Sequence, residues 1–462
     1  MLKNRIWLFL VFFFAAGLPS AHGQRFTVRR FDTSAIHREC RRMVSRLAGR
    51  GYPFASVVAD SAVVSGRRRV DVYCSTILSQ KYHVENIYML GGAGLSPYYV
   101  HSAAGISPGA VYDERRISMA ARRIESCGAA DVLRDAEVEF HPDGVADVYL
   151  YLQKRRSNAV GAGVALNRDN LDGSYFLTGN ALADLRNNFG RGESFCFAWN
   201  GYDRRSQMLD LKSRWPYAFD TPVSPDFCVN VTKTDSTCLT FRLSAGLGWT
   251  LTPDVEVRAV ADVRRLVSTA DGGSDARTSL YGIAFGCRKS TQNHTIVNIT
   301  ASASGGARRC GGQSGSTAEI SSAIAVEIPV CVWVRYEGSL TAKKTYFGQP
   351  PDIHECSPIG GAGSLRGFIA NEFRATGMVS ACNTVRLLLS DGFSVQVFYD
   401  QAYYRCNAAQ VDIDDAPCGF GAGIGVKTGS IILDIGWAIG CERGKMRPLK
   451  DAKTLIVTRL AF

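Results

Sequence analysis

The residues best able to do covalent or metal chemistry in this chain do not assemble into a reactive pattern. His-Glu-x-x-His does not occur. Gly360 to Gly363 is glycine-rich, but it lacks the lysine and the following helix that let a phosphate loop hold its ligand. The seven histidines are scattered, so neither a triad nor a metal site is indicated. Asp412, Asp414 and Asp415 have the acidic density of a calcium loop without its frame, and read as a solvated loop. Fourteen cysteines with irregular spacing and no Cys-x-x-Cys pair leave a zinc ribbon unsupported. Cys196, Cys331 and Cys382 sit in strand-like segments and read as small apolar residues or free thiols, whereas Cys356, Cys406 and Cys418 read as loop residues and are the disulfide candidates. Asn230-Val231-Thr232, Asn293-His294-Thr295 and Asn298-Ile299-Thr300 are glycosylation sequons only where a secretory pathway glycosylates, and otherwise are polar strand residues. The expectation is a non-enzyme with no cofactor and no metal.

Binding and transport depend instead on the elements that surround these residues. Lys3 and Arg5 precede the apolar run Ile6 to Leu18, and Ala21-His22-Gly23 offers small residues for cleavage, which predicts a signal peptide over 1–23 and a mature chain from Gln24. A spanning helix needs about 20 apolar residues, and this run stops at Pro19. Hydrophobic residues make up 46% of the chain without any later helical span, so the exported protein is either soluble or a barrel. The formal charge of +11 is dispersed, with no run of five or six basic residues. That argues against nucleic acid and for anionic lipid or lipopolysaccharide as counter-charge.

Up to about Arg155 helical and strand signals alternate; beyond Ala159 strand follows strand with Gly, Asn and Asp turns, placing a boundary near Ser157. A helix is predicted over Thr33 to Arg50, opened by Asp32-Thr33-Ser34, with Ile36, Cys40, Met43 and Leu47 on one face. Strands are predicted over Ala55 to Val64, Arg69 to Cys74 and Tyr82 to Met89, then helices over Pro97 to Ala104 and Tyr112 to Ser126. Two closing strands, Ala136 to His141 and Val145 to Leu152, join at the turn Pro142-Asp143-Gly144.

In the second half, Val255, Val257, Ala259, Ala261 and Val263 alternate with Glu256, Arg258, Asp262 and Arg264. One face suits lipid and the other a wet lumen. Ile431, Leu433, Ile435, Trp437 and Ile439 repeat the pattern against Asp434, Gly436 and Gly440. At the end of the chain Ile456, Thr458, Leu460 and Phe462 share one parity. The predicted fold class is mainly β, a C-terminal transmembrane antiparallel β-barrel of about 16 strands preceded by small α+β domains.

Several segments resemble one family. The order strand-helix-helix-strand-strand up to residue 156 resembles a POTRA domain, and Gly51-Tyr52-Pro53-Phe54-Ala55 and Pro108-Gly109-x-x-Tyr112-Asp113-Glu114 resemble phrases of such domains. Leu365-Arg366-Gly367-Phe368, after Gly360-Gly361-Ala362-Gly363-Ser364, is similar to the [V/L]-R-G-[F/Y] motif of the BamA/TamA-type family of outer-membrane assembly and polypeptide transport proteins. Asn187-Asn188-Phe189-Gly190-Arg191-Gly192-Glu193 resembles that family's turn after the second barrel strand, Gly421 to Gly440 its closing hairpin, and the terminal strand with Leu460 and Phe462 its barrel-closing strand.

The resemblance implies POTRA-like domains over 24–79, partial or first, and 80–156, then a barrel over 157–462 with an inward loop over 342–376. It also implies an Asp on the lumen wall as partner of Arg366, which Phe398-Tyr399-Asp400-Gln401-Ala402 supplies, with Ala402 departing from the family's Gly. Ser394, Gln396, Phe398 and Asp400 share one parity, and Val395, Val397 and Tyr399 the other. The implied function is assembly or insertion of β-barrel or other exported clients at the bacterial outer membrane, with the POTRA region in the periplasm. Two alternatives stand beside it: a two-partner-type secretion transporter, which the two-unit front end favours and the lack of room for a plug helix after Gln24 opposes, and a structural barrel in a larger surface complex. Implied partners are unfolded outer-membrane or secreted proteins, outer-membrane lipid and accessory lipoproteins.

Overall fold

A computed structural model describes the chain apart from residues 1–21, 29–31, 67–68, 156–157, 169–174, 202–205, 235–237, 269–274, 292, 362–363, 370, 410, 429–430 and 462. The expected signal segment, apart from His22 and Gly23, and the terminal Phe462 lie outside the described residues. The chain divides into two compact units, residues 1–93, 100–125 and 130–154, and residues 94–99, 126–129 and 155–462.

The first unit holds two three-stranded sheets. Asp32 caps the helix Thr33–Ala48 by accepting the Ser34 N–H at 2.9 Å, which satisfies one of the helix's unpaired donors. Its buried residues Ile36 and Met43 lie about two helical turns apart with Cys40 between them, so one stripe faces inward. Arg69–Ile77 runs down the middle of the first sheet and buries Val70, Val72, Cys74 and Thr76 on its alternate face. Its edge partners are Ser56–Gly66 and His22–Val28. The second of these was not anticipated; only Phe26 and Val28 mark its apolar face among Gln, Arg and Thr.

In the second sheet the hairpin Ala130–Phe140 and Val145–Lys154 turns at Gly144, whose φ of +88° a side chain would resist. His83–Leu90 adds to Val145–Lys154 in parallel, as the two intervening helices, Pro97–Ala104 and Glu114–Ser126, permit. Ile117, Ala120, Ala121 and Ile124 of the longer helix are buried, as are Val148, Leu150 and Leu152 of the central strand. The hairpin's first strand starts at Ala130 rather than Ala136, because pairing continues past register shifts at 132–137 that break the alternation.

The second unit is built on a large antiparallel sheet of eighteen strand segments among the described residues. Two, Val411–Asp415 and Lys445–Met446, are short flaps, because Phe393–Ala408 pairs directly with Cys418–Thr428, and Ile431–Glu442 directly with Lys453–Ala461. Sixteen strands therefore make the circuit, from Ala159–Arg168 round to Lys453–Ala461. The last strand meets the first through Leu460 opposite Val160 and Ala461 opposite Ala159.

Outward positions are apolar and uncovered: Leu247, Trp249, Ile283, Phe285, Val397 and Trp437 are all exposed. Inward positions carry paired charge. Asp262 accepts from Arg242 and Arg264 at 2.6 Å each, and Arg264 also meets Glu319 at 2.9 Å, with Lys343 on the same carboxylate at 3.2 Å. No helix among the described residues is long and apolar enough to cross a membrane.

Candidate functional site

The strand Val334–Phe347 hands over to a loop that returns at Gly377–Ser390. The loop was expected from residue 342, but residues 342–347 continue the strand, paired with residues 317–322 on one side and, up to Lys344, with residues 377–379 on the other. Alternation persists there, with Lys343 and Thr345 inward, and the strand ends only at Gly348-Gln349-Pro350-Pro351.

Within the loop, Asp352 and Glu355 form a reciprocal capping box on the short helix Ile353–Glu355. Ser357–Ile359 then pairs with Phe373–Ala375, making a small hairpin that carries the Leu365–Phe368 tip. Leu365 and Phe368 are fully buried with Ile359, Phe373, Ala375, Ala402 and Tyr404. The Phe368, Phe373 and Tyr404 rings follow one another at 5.0 and 5.2 Å between centroids. Ala402, which stands where the family pattern has Gly, fills part of this cluster.

Arg366 sits between these apolar residues and grips Asp400. Its Nε donates to Oδ2 at 2.7 Å, its Nη2 to Oδ1 at 2.5 Å, and its own backbone N–H to Oδ2 at 2.9 Å. Nη1 donates to Thr384 Oγ1 at 3.0 Å, and the guanidinium lies 3.9 Å from the Phe398 ring centroid. Asp400 is wholly buried, so this two-pronged pair replaces the water both ions lost.

The wall opposite is made flat by glycine. A Cβ at Gly419 would stand 1.8 Å from the Arg366 carbonyl oxygen, and one at Gly440 would meet the Phe368 ring at 2.6 Å. Gly367, with φ +95°, lets the tip turn against the Ile439–Gly440 backbone.

Two further anchors were missed by sequence reasoning. Arg308 donates to both oxygens of Glu355 at 2.8 and 2.6 Å, and both side chains are more than nine-tenths buried. Arg447 meets Glu372 at 2.5 Å and Glu442 at 2.8 Å, and lies 4.6 Å from the Phe368 ring centroid. Loop carboxylates at 355 and 372 were a signal, but nothing in the spacing selects their partners among 53 basic residues.

The turn Asn187–Glu193 lies elsewhere in the same unit. Buried Glu193 accepts the backbone N–H groups of Phe189 at 2.6 Å and Arg191 at 3.1 Å, Asn187 Oδ1 accepts that of Gly192 at 3.0 Å, and Gly190 accepts the Ser96 N–H at 2.7 Å. Asn187 Nδ2 in turn reaches the Ala129 carbonyl at 3.0 Å. Leu460 belongs to the ring-closing strand, and its partner in that expectation, Phe462, lies outside the described residues.

The three cysteines expected as loop disulfide partners are not bonded to one another in this structure, and two are not in loops. Cys406 lies within Phe393–Ala408, Cys418 begins the next long strand opposite Cys441, and Cys356 packs against Cys406. Among the described residues no group of three His, Cys, Asp or Glu is arranged to hold a metal; Asp412 faces Arg405 at 3.7 Å, and Asp415 accepts the Ala416 N–H at 2.8 Å.

No family model matches the chain, and no curated protein matches it either. Solved structures do. CdiB from Acinetobacter baumannii superposes with a TM-score of 0.59 at 11% identity, over 93% of this chain and 82% of that one. CdiB from Escherichia coli gives the same TM-score at 12% identity, over 94% and 85%. The fold is that of CdiB. BamA from Haemophilus ducreyi lacking POTRA domains 1-3, a member of the family the sequence motifs resemble, matches over 93% of this chain and 94% of that one at 14% identity, with a TM-score of 0.45. In the CdiB-like barrel of this chain, Arg366, Asp400, Phe398 and Phe368 all converge on one stretch of inner wall.

Proposed function

We propose that this chain is an outer-membrane protein assembly or insertion factor. Its barrel over 157–462 lies in the bacterial outer membrane, and its two α+β modules act as POTRA-like domains in the periplasm.

The observation that carries the reading is the seam. Among the described residues, Ala159–Arg168 pairs with its other neighbour through ten residue pairs and Lys453–Ala461 with its own through eight, whereas these two strands meet through two. Strand edges left unpaired in lipid are costly, and a client strand is a natural partner for them. A seam held by two pairs opens more readily than any other junction in the ring and can template a new strand in the bilayer. Before that step, the open edges of the two small sheets can receive extended client segments by main-chain pairing. Arg366 and Asp400 hold the inward loop in place and so keep the barrel competent.

The CdiB likeness favours a second reading, secretion of a dedicated polypeptide partner through the lumen. Depleting the protein and quantifying outer-membrane and secreted proteins separates the two. Loss of many unrelated barrels supports assembly, loss of a single secreted protein supports dedicated transport, and an unchanged profile leaves neither.

A further inference from the structure

The geometry points to a structural disulfide between Cys356 and Cys406 that closes the base of the inward loop onto the barrel wall. Both residues are buried, at 3% and 2% exposure, in one small cluster with Ala408 and Val411. Their thiols are in hydrogen-bonding contact, while the Cys356 thiol also donates to the Asp352 carbonyl at 3.7 Å. The backbone around them is already tied together: the Ala409 N–H donates to the Pro351 carbonyl at 3.1 Å, and the Thr376 N–H to the Arg405 carbonyl at 2.9 Å. Two buried cysteines that distant in sequence are thus brought into contact by a framework of hydrogen bonds. The link would enclose the hairpin, the Leu365–Phe368 tip and the strand Gly377–Ser390 in one covalent ring.

The inference rests on the export reading, because cytosolic thiols are kept reduced. The oxidant is the disulfide of a thiol–disulfide oxidoreductase. One cysteine, as thiolate, attacks that disulfide and displaces one oxidant thiolate, giving a mixed disulfide. The second cysteine attacks the mixed disulfide, forming the Cys356–Cys406 bond and releasing the other oxidant thiolate. Two protons leave the protein, and two electrons pass to the oxidant, now a dithiol. Burial of both sulfurs sets the order of events: oxidation comes before the loop is fully packed, and the finished bond is shielded from reductants.

The test uses full-length protein in cells quenched with acid. Fractionated membranes are dissolved in denaturant with N-ethylmaleimide, then reduced, and freshly exposed thiols are labelled with iodoacetamide. Exposed Cys331 is the expected carrier of the first label. Cys356 and Cys406 are expected to carry the second, and an unreduced digest to contain their joined peptides, two hydrogens lighter than the separate pair. Cys406→Ser is expected to move Cys356 to the first label. Maleimide on both residues in protein from the outer-membrane fraction overturns the disulfide and leaves the functional reading standing. Joining of either to a different cysteine also overturns it. Maleimide on all cysteines of protein found in the cytosolic fraction overturns both.

Discussion

Arg366 and Asp400 share a desolvated site in which neither ion is stable without the other, so removing one strands its partner. Arg366→Ala is expected to leave export and membrane insertion intact but to lower barrel stability by about 3–5 kcal/mol, with a matching loss of function. Thermal unfolding in lipid and complementation of a depleted strain measure the two effects; wild-type values in both would remove Arg366 from the mechanism. A second test approaches the same contact from the wall. Gly419→Ala puts a methyl group into the Arg366 carbonyl and is expected to destabilise by about 1–3 kcal/mol through overpacking, even though residue 419 carries no charge. The ionic pair was legible in the sequence because the family resemblance implied an Asp partner at this place and strand parity agreed with Asp400. The role of Gly419 was not, since a glycine that clears another segment's backbone looks like any other glycine until the fold brings that segment near. Arg308 with Glu355 was hidden for a related reason: a charge partner chosen by three-dimensional proximity leaves no spacing to read.

Among the elements, the junction between Ala159–Arg168 and Lys453–Ala461 makes the sharpest prediction. Cysteines placed at positions 160 and 460, opposite one another in register, are expected to lock the ring when oxidised and to stop client insertion, with activity returning on reduction. Client assembly at the normal rate through a locked seam would show that the ring does not open there. Strand parity in this barrel was plain from the sequence, as Phe393–Ala408 illustrates, with Phe398, Asp400 and Ala402 buried and Val397, Tyr399 and Tyr403 exposed. Ends and edges were harder. His22–Val28 carries too few apolar residues to announce itself, and its pairing depends on Arg69–Ile77, far along the chain. Residues 342–347 include Lys343, whose charge suggests a loop but which faces the inner side of this sheet, where it meets Glu319.

For the whole molecule, the arrangement of exposed apolar and inward charged residues predicts where a charge can be tolerated. Ile283→Arg, on the outer face, is expected to destabilise the folded protein by about 2–4 kcal/mol in bilayers if that position lies near the midplane. An effect within about 0.5 kcal/mol, as at an ordinary wet surface, would argue against a membrane-spanning barrel. The overall division into a mixed front end and a strand-rich remainder was legible because its two periodicities differ. Which client is handled leaves no such trace, since main-chain pairing makes little demand on side chains. The three arginines that fasten the loop, Arg308, Arg366 and Arg447, have an electrical consequence. They hold a folded segment inside the ring, and Arg242, Arg264, Lys343 and Arg386 of the inner face each meet a carboxylate. In a planar bilayer the protein should therefore pass little current and choose weakly between cations and anions, with brief larger openings whenever the loop lets go; a wide, steadily conducting pore would mean that the loop does not stay seated.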